Sequence, residues 1–174
     1  MRAIRTVGYE GASLEQFLSR MRAASVDLVI DVRELPLSRK KGFSKTAFKT
    51  ALEEHGIRYV HLKSLGDPKP GRDAARAGRI PEFRKIFRAH MKTPRAKAEL
   101  SLAADLASRH DAVLLCYERQ PSLCHRAIVA EALRLTYGFS IEHLDILDRS
   151  VIRDDTNNQR ASRCACEGRS ASRL

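Results

Sequence analysis

Cys116-Tyr117-Glu118 and Cys124-His125-Arg126 place two thiols, a carboxylate, an imidazole and a guanidinium within one short stretch of chain. Thiolates and carboxylates act as nucleophiles or bases, imidazole moves protons, and guanidinium holds anionic oxygens in a bidentate fork. The segment from Leu114 to Arg126 passes from an apolar run through a turn into a helix start. Ser122 is the expected N-cap, which puts Cys124, His125 and Arg126 in the first helical turn, where the helix dipole favours a thiolate. The same dipole disfavours a cation, so Arg126 suits a place that meets an anion. Cys124, Glu118, Cys116 and His125 are therefore candidate catalytic groups. The plainer alternatives stand beside this: Cys116 ends an apolar strand and suits a small buried hydrophobe, His125 can face solvent, and Arg126 can close the turn on Glu118.

Familiar constellations fail on spacing. A phosphatase loop needs Cys, five residues, then Arg, but that spacing falls on Ser122 from Cys116 and on Ala130 from Cys124. A zinc ribbon needs close cysteine pairs, so only a three-dimensional cluster with His125 or His61 would restore a metal site. No Walker loop is present. The expectation is a site without metal or cofactor.

The elements that must position these groups alternate in type. Ile4 to Val7 reads as a short strand ended by Gly8-Tyr9-Glu10-Gly11, two glycines that permit a sharp turn. Ser13 and Gln16 form a capping box for a helix with Leu14, Phe17, Leu18 and Met21 on one face. Strands follow at Val26 to Val32, Ile57 to Leu62, Ala112 to Cys116 and Ser140 to Leu144. Between them come helices led by Ser44, Pro81, Pro94 and the Leu123 region, and Ser64 to Gly71 reads as an irregular loop long enough to have a job. Strands alternating with helices predict a three-layer α/β fold, a mostly parallel sheet of about five strands with helices on both faces.

In such sheets ligands bind beyond the carboxyl ends of the strands. That rim carries Tyr9 and Glu10, Asp31 and Arg33, His61, and Cys116 and Glu118. Arg33, Arg39, Arg126, Tyr9 and Ser38 are the anion-binding candidates, with Asp31 and His61 in support. Asp31 can equally well just hold Arg33, and His61 can be a hydrogen-bonded core histidine.

Composition sets the bounds. The 174 residues are 43% hydrophobic and 30% charged, enough for one folded domain, expected over residues 1–148. The 32 Lys and Arg against 21 Asp and Glu give a net charge of +11, which draws polyanions such as nucleic acid or a phosphorylated small molecule. Part of that excess lies in residues 149–174, read as a basic, mobile tail whose Cys164 and Cys166 give a weak metal motif. The four cysteines do not make a secreted disulfide framework, no apolar run reaches membrane-spanning length, and Met1 leads straight into a strand-like segment. A cytoplasmic protein without membrane contact is expected.

As an ordered set, Thr6-Val7-Gly8-Tyr9-Glu10, Asp31-Val32-Arg33 with Pro36, Ser38 and Arg39, Tyr59 to His61 with Leu65-Gly66, and Leu115-Cys116-Tyr117-Glu118 with Cys124-His125-Arg126 resemble domain of unknown function 488. The resemblance runs from about Ile4 to Leu144. It implies a bacterial and archaeal cytoplasmic α/β domain, sometimes labelled a DNA-repair protein, without a settled activity. The family's recurring Arg, Cys, Glu and His-Arg positions correspond to Arg33, Arg39, Cys116, Glu118, Cys124, His125 and Arg126.

Three functions stay open on the sequence. The first is an enzyme acting on a nucleotide or nucleic acid through a Cys/Glu/Arg site. The second is a non-catalytic nucleic-acid-binding module using the Ser38 to Lys45 loop and the tail. The third is a metal or redox thiol site.

Overall fold

Five strands form one wholly parallel sheet in the computed structural model, which describes residues 2–147. They are β1 (Ala3–Gly8), β2 (Leu28–Asp31), β3 (Arg58–His61), β4 (Ala112–Cys116) and β5 (Ser140–Leu144), in the spatial order β3-β2-β4-β1-β5. The expected tail and its Cys164 and Cys166 lie outside the described residues.

β4 is central and buried at every position, as its unbroken apolar run requires of a strand covered on both faces. Its last residue, Cys116, sits opposite Gly8 of β1. On one face pack α1 (Leu14–Ala23) and α2 (Lys45–Glu53), through Phe17, Leu18, Met21, Phe48 and Leu52. On the other pack α3 (Lys69–Arg76), α4 (Ile80–His90), α5 (Pro94–Arg109) and α6 (His125–Tyr137), through Phe83, Phe87, Leu100, Ala103, Val129 and Leu133. The period-two alternation of β2 and β4 divides their side chains between these cores: Leu28, Ile30, Ala112 and Leu114 to the second, Val29, Val113 and Leu115 to the first.

The capping box is present, Ser13 Oγ accepting from Gln16 N at 3.1 Å and Gln16 Oε1 from Ser13 N at 2.8 Å. Three expectations need correction. Ser64 to Gly71 is largely regular, a 3-10 turn at Lys63–Leu65 followed by α3, because Pro70 stands in the first turn of α3, where its missing N–H costs nothing. Ser122 is not the N-cap of α6. Pro121 opens a 3-10 turn through Leu123, and Cys124 itself takes the extended cap conformation. Gly8 does not end the strand in a turn but closes β1, where a Cβ would collide with the carbonyl of Glu118. Its lack of a side chain lets the Glu118 turn lie directly on β1. No helix among the described residues is long and apolar enough to cross a membrane.

Candidate functional site

The carboxyl edge of the sheet carries two separate polar sites, one on each face. On the α1/α2 face, Arg33 points back onto Asp31, its Nε 2.9 Å from Oδ1 and one terminal nitrogen 2.6 Å from Oδ2. The other terminal nitrogen donates to the Tyr9 hydroxyl at 2.9 Å and the Phe43 carbonyl at 3.0 Å, and Tyr59 donates to Asp31 Oδ2 at 2.7 Å. Asp31 and Arg33 are buried, and the pair keeps Arg33 fully charged despite burial that alone would lower its pKa. Tyr9 is stacked on Phe43 at 4.2 Å between ring centres. His61 Nε2 lies 2.8 Å from the Arg33 carbonyl, bracing the same bend.

Arg33 and Tyr9, expected to bind an anion, are thus committed to the protein's own groups. Ser38 accepts from the Lys40 amide at 3.2 Å, and Arg39 is exposed without a hydrogen bond or ion pair to the described residues. These loop residues are not brought to the cysteines.

On the α4/α6 face the β4 end and the α6 start converge. Cys116 Sγ lies 3.1 Å from Glu118 Oε2 and 3.7 Å from His125 Nδ1. The donor atoms of Cys116, Glu118, Cys124 and His125 all lie within 4.8 Å of one another. Glu118 is half-buried and the other three are buried. His125 Nε2 is 2.7 Å from the Val32 carbonyl, and its ring packs on Phe87, 5.2 Å between centres. Arg126, wholly buried, donates to the carbonyls of Glu118 and, at 2.9 Å, Arg119, while its Nε has no partner. The local sequence explains this convergence: Gly8 admits the Glu118 turn, Arg126 ties it down, and Pro121 swings the chain so that Cys124 faces back to Cys116.

The electrostatics separate the two thiols. Burial pushes the Cys116 thiol well up, reinforced by its hydrogen bond to Cys124 and by the negative charge of Cys124 and Glu118. Burial also opposes ionisation of Cys124, but a hydrogen bond from Cys116 and the charges of His125 and Arg126 outweigh it and bring this thiol well below its usual range. His125 is raised to about 9: burial works against the charged ring, and the Cys124 thiolate and the Val32 carbonyl overcome it. Burial, with the charge of Cys124, lifts Glu118 to about 7. The cluster can therefore supply a thiolate beside an imidazolium and a carboxyl that exchanges its proton near neutral pH.

Three neighbours were not singled out in the sequence. Asp67 is buried beside His125 and Cys124, with Oδ1 unpartnered and its pKa raised by burial to about 6. It stands in the Ser64 to Gly71 segment, whose length was the available signal. Arg84 and Arg88 line a cleft of about 220 Å³ between α4 and α6, together with Phe83, Ser122, Cys124 and Ile128. Their spacing of four on one helix puts them on one face, a signal readable in the sequence. Cys124 joins this cleft to the buried cluster.

Fold and site define a doubly wound parallel α/β protein with a thiol, imidazole and carboxylate centre at the carboxyl edge of its middle strand. The chain belongs to the family described as domain of unknown function DUF488, which it matches over residues 13–133. No curated protein and no solved structure matches the chain.

Proposed function

We propose that this protein is an enzyme acting on a phosphate-bearing substrate, a nucleotide or nucleic acid. Its phosphate is held by Arg84 and Arg88 at the mouth of the α4/α6 cleft, and its reacting group is brought to the Cys116, Glu118, Cys124 and His125 cluster. The observation that carries this reading is that Cys124 belongs to both places, lining the cleft with the two arginines and standing in the cluster. Both arginines are exposed, and Arg88 makes no hydrogen bond or ion pair with the described residues, so guanidinium donors are free for an anion. A net charge of +11 favours capture of the same class of ligand. Glu118 is the proton carrier, since it lies beside the thiols and alone of the four is half-buried.

The test combines binding and turnover. Calorimetry with nucleoside phosphates and short oligonucleotides should show affinity that falls by about tenfold or more in Arg84→Ala/Arg88→Ala, the loss expected for charge-assisted hydrogen bonds. Glu118→Gln should keep the affinity and lower turnover by about 10²–10⁴. Unchanged affinity in the double arginine variant would overturn the cleft assignment. Salt-sensitive binding with no turnover of any nucleotide or nucleic acid would replace the enzyme by a non-catalytic nucleic-acid-binding module.

A further inference from the structure

We infer that Cys116, Cys124, His125 and Glu118 are a binding site for one divalent ion of the zinc class. The inference goes beyond the proposed reaction, because it holds whatever enters the cleft.

Geometry supports it first. Bonds of about 2.0–2.3 Å to a tetrahedral zinc imply donor atoms about 3.3–3.8 Å apart. Cys116 already stands 3.1 Å from Glu118 Oε2 and 3.7 Å from His125 Nδ1, and the whole donor set falls within 4.8 Å. Small side-chain rotations close the remaining gap.

The histidine is set up as a ligand. Val32 offers a carbonyl, which only accepts, so the proton of a neutral His125 ring is on Nε2, 2.7 Å away. Its lone pair is then on Nδ1, the nitrogen nearer Cys116. A backbone carbonyl fixing the far ring nitrogen is the usual outer partner of a metal-bound histidine. Every donor comes from the end of β4, the turn after it or the start of α6, so the site needs no distant segment to form.

Donor chemistry selects the ion. Two sulfurs and an imidazole suit zinc and its neighbours, and disfavour magnesium and calcium, which take oxygen. In the bound site both sulfurs are thiolates, Glu118 is a carboxylate and the His125 ring is neutral, whatever protons these groups held having gone to solvent, and the dication offsets two thiolates and a carboxylate that are costly to bury together. The buried Arg126 balances part of the remaining negative charge. Glu118, half-buried where the others are buried, is the ligand that a water or substrate oxygen would displace.

The experiment is elemental analysis of full-length protein purified without chelator, followed by cobalt titration of the stripped, thiol-reduced protein. The expected result is one zinc-class ion per chain, and a cobalt spectrum with thiolate charge-transfer and intense tetrahedral d–d bands. Cys116→Ser and Cys124→Ser should each lose the metal, and Glu118→Gln should keep it with altered d–d bands. Cys164→Ser/Cys166→Ser should bind as wild type. Should the cysteine variants fail to fold, the spectra of wild type, Glu118→Gln and the tail variant decide alone. A reduced wild type that neither copurifies with metal nor gives the cobalt bands overturns the site, as does a Cys116–Cys124 disulfide that reduction does not convert to a metal-binding form. Metal lost with Cys164 and Cys166 overturns it too. Nucleotide affinity measured on the same samples reports on the cleft separately, so either idea can fail alone.

Discussion

The two polar sites at the carboxyl edge differ in how completely their buried groups are answered. On the α1/α2 face, Asp31 receives Arg33 and Tyr59, while Arg33 also reaches Tyr9 and the Phe43 carbonyl, so charge and hydrogen bonding both close. On the α4/α6 face, two thiols, a histidine and Glu118 crowd together, Asp67 Oδ1 and Arg126 Nε have no partner, and the acids are shifted upward. A closed network makes the structure rigid and holds the strand end in place. An open one keeps groups in protonation states that favour reaction or ligation over stability.

The largest test of that contrast removes the charge at the centre of the closed site. Asp31→Asn leaves the buried Arg33 guanidinium without its counterion, and breaking a buried pair in this way costs about 3–5 kcal/mol. Urea unfolding should show a loss of unfolding free energy of that size. A loss below about 1 kcal/mol, the range of exposed pairs, would mean the pair is not doing structural work.

The open site predicts the opposite sign. The pKa of Asp67 is about 6 in the folded chain against about 3.9 unfolded, so the folded state binds this proton more tightly. Asp67 therefore lowers stability above about pH 6, and its cost disappears as the pH falls below about 4. Asp67→Asn should stabilise chelator-treated, thiol-reduced protein by about 3 kcal/mol at pH 8 and leave it nearly unchanged at pH 4. Equal effects at both pH values would remove ionisation as the cause.

The sequence exposed the closed site's pieces with two uses open, Arg33 and Tyr9 holding an anion or Asp31 simply holding Arg33, and no residue type decided between them. Tyr9, Asp31, Arg33 and His61 are rim residues, as strand-end positions indicated, but alternation along β2 sends Asp31 to the face away from the cysteines, and Phe43 accepts from Arg33 through a backbone oxygen that no residue type advertises. The mutual approach of Cys116, Glu118, Cys124 and His125 was foreseeable only as a conditional, since it depends on how Pro121 turns the chain and on Gly8 letting that turn touch β1. The parallel sheet itself was legible because each buried strand is a short apolar run between amphipathic helices. Helix α3 was hidden by prolines that also occur in loops, and with it went the position of Asp67.

The smallest effect separates hydrogen bonding from charge within the closed site. Tyr59→Phe removes the hydroxyl that donates to Asp31 Oδ2 at 2.7 Å, yet Asp31 keeps its three contacts to the Arg33 guanidinium. Burial raises the pKa of that hydroxyl and the charge of Asp31 raises it further, so it is a neutral donor across the neutral pH range. The ring's contact with Phe48, 6.1 Å between centres, survives the substitution. The loss should be about 1.5–3 kcal/mol, that of one hydrogen bond to a charged acceptor, and independent of pH between 6 and 9. Nucleotide affinity and metal content should not move, because Tyr59 stands on the face opposite the cysteines. A change in either would show that the two sites are coupled through the bend at Val32 and Arg33, whose carbonyls are held by His125 on one side and His61 on the other.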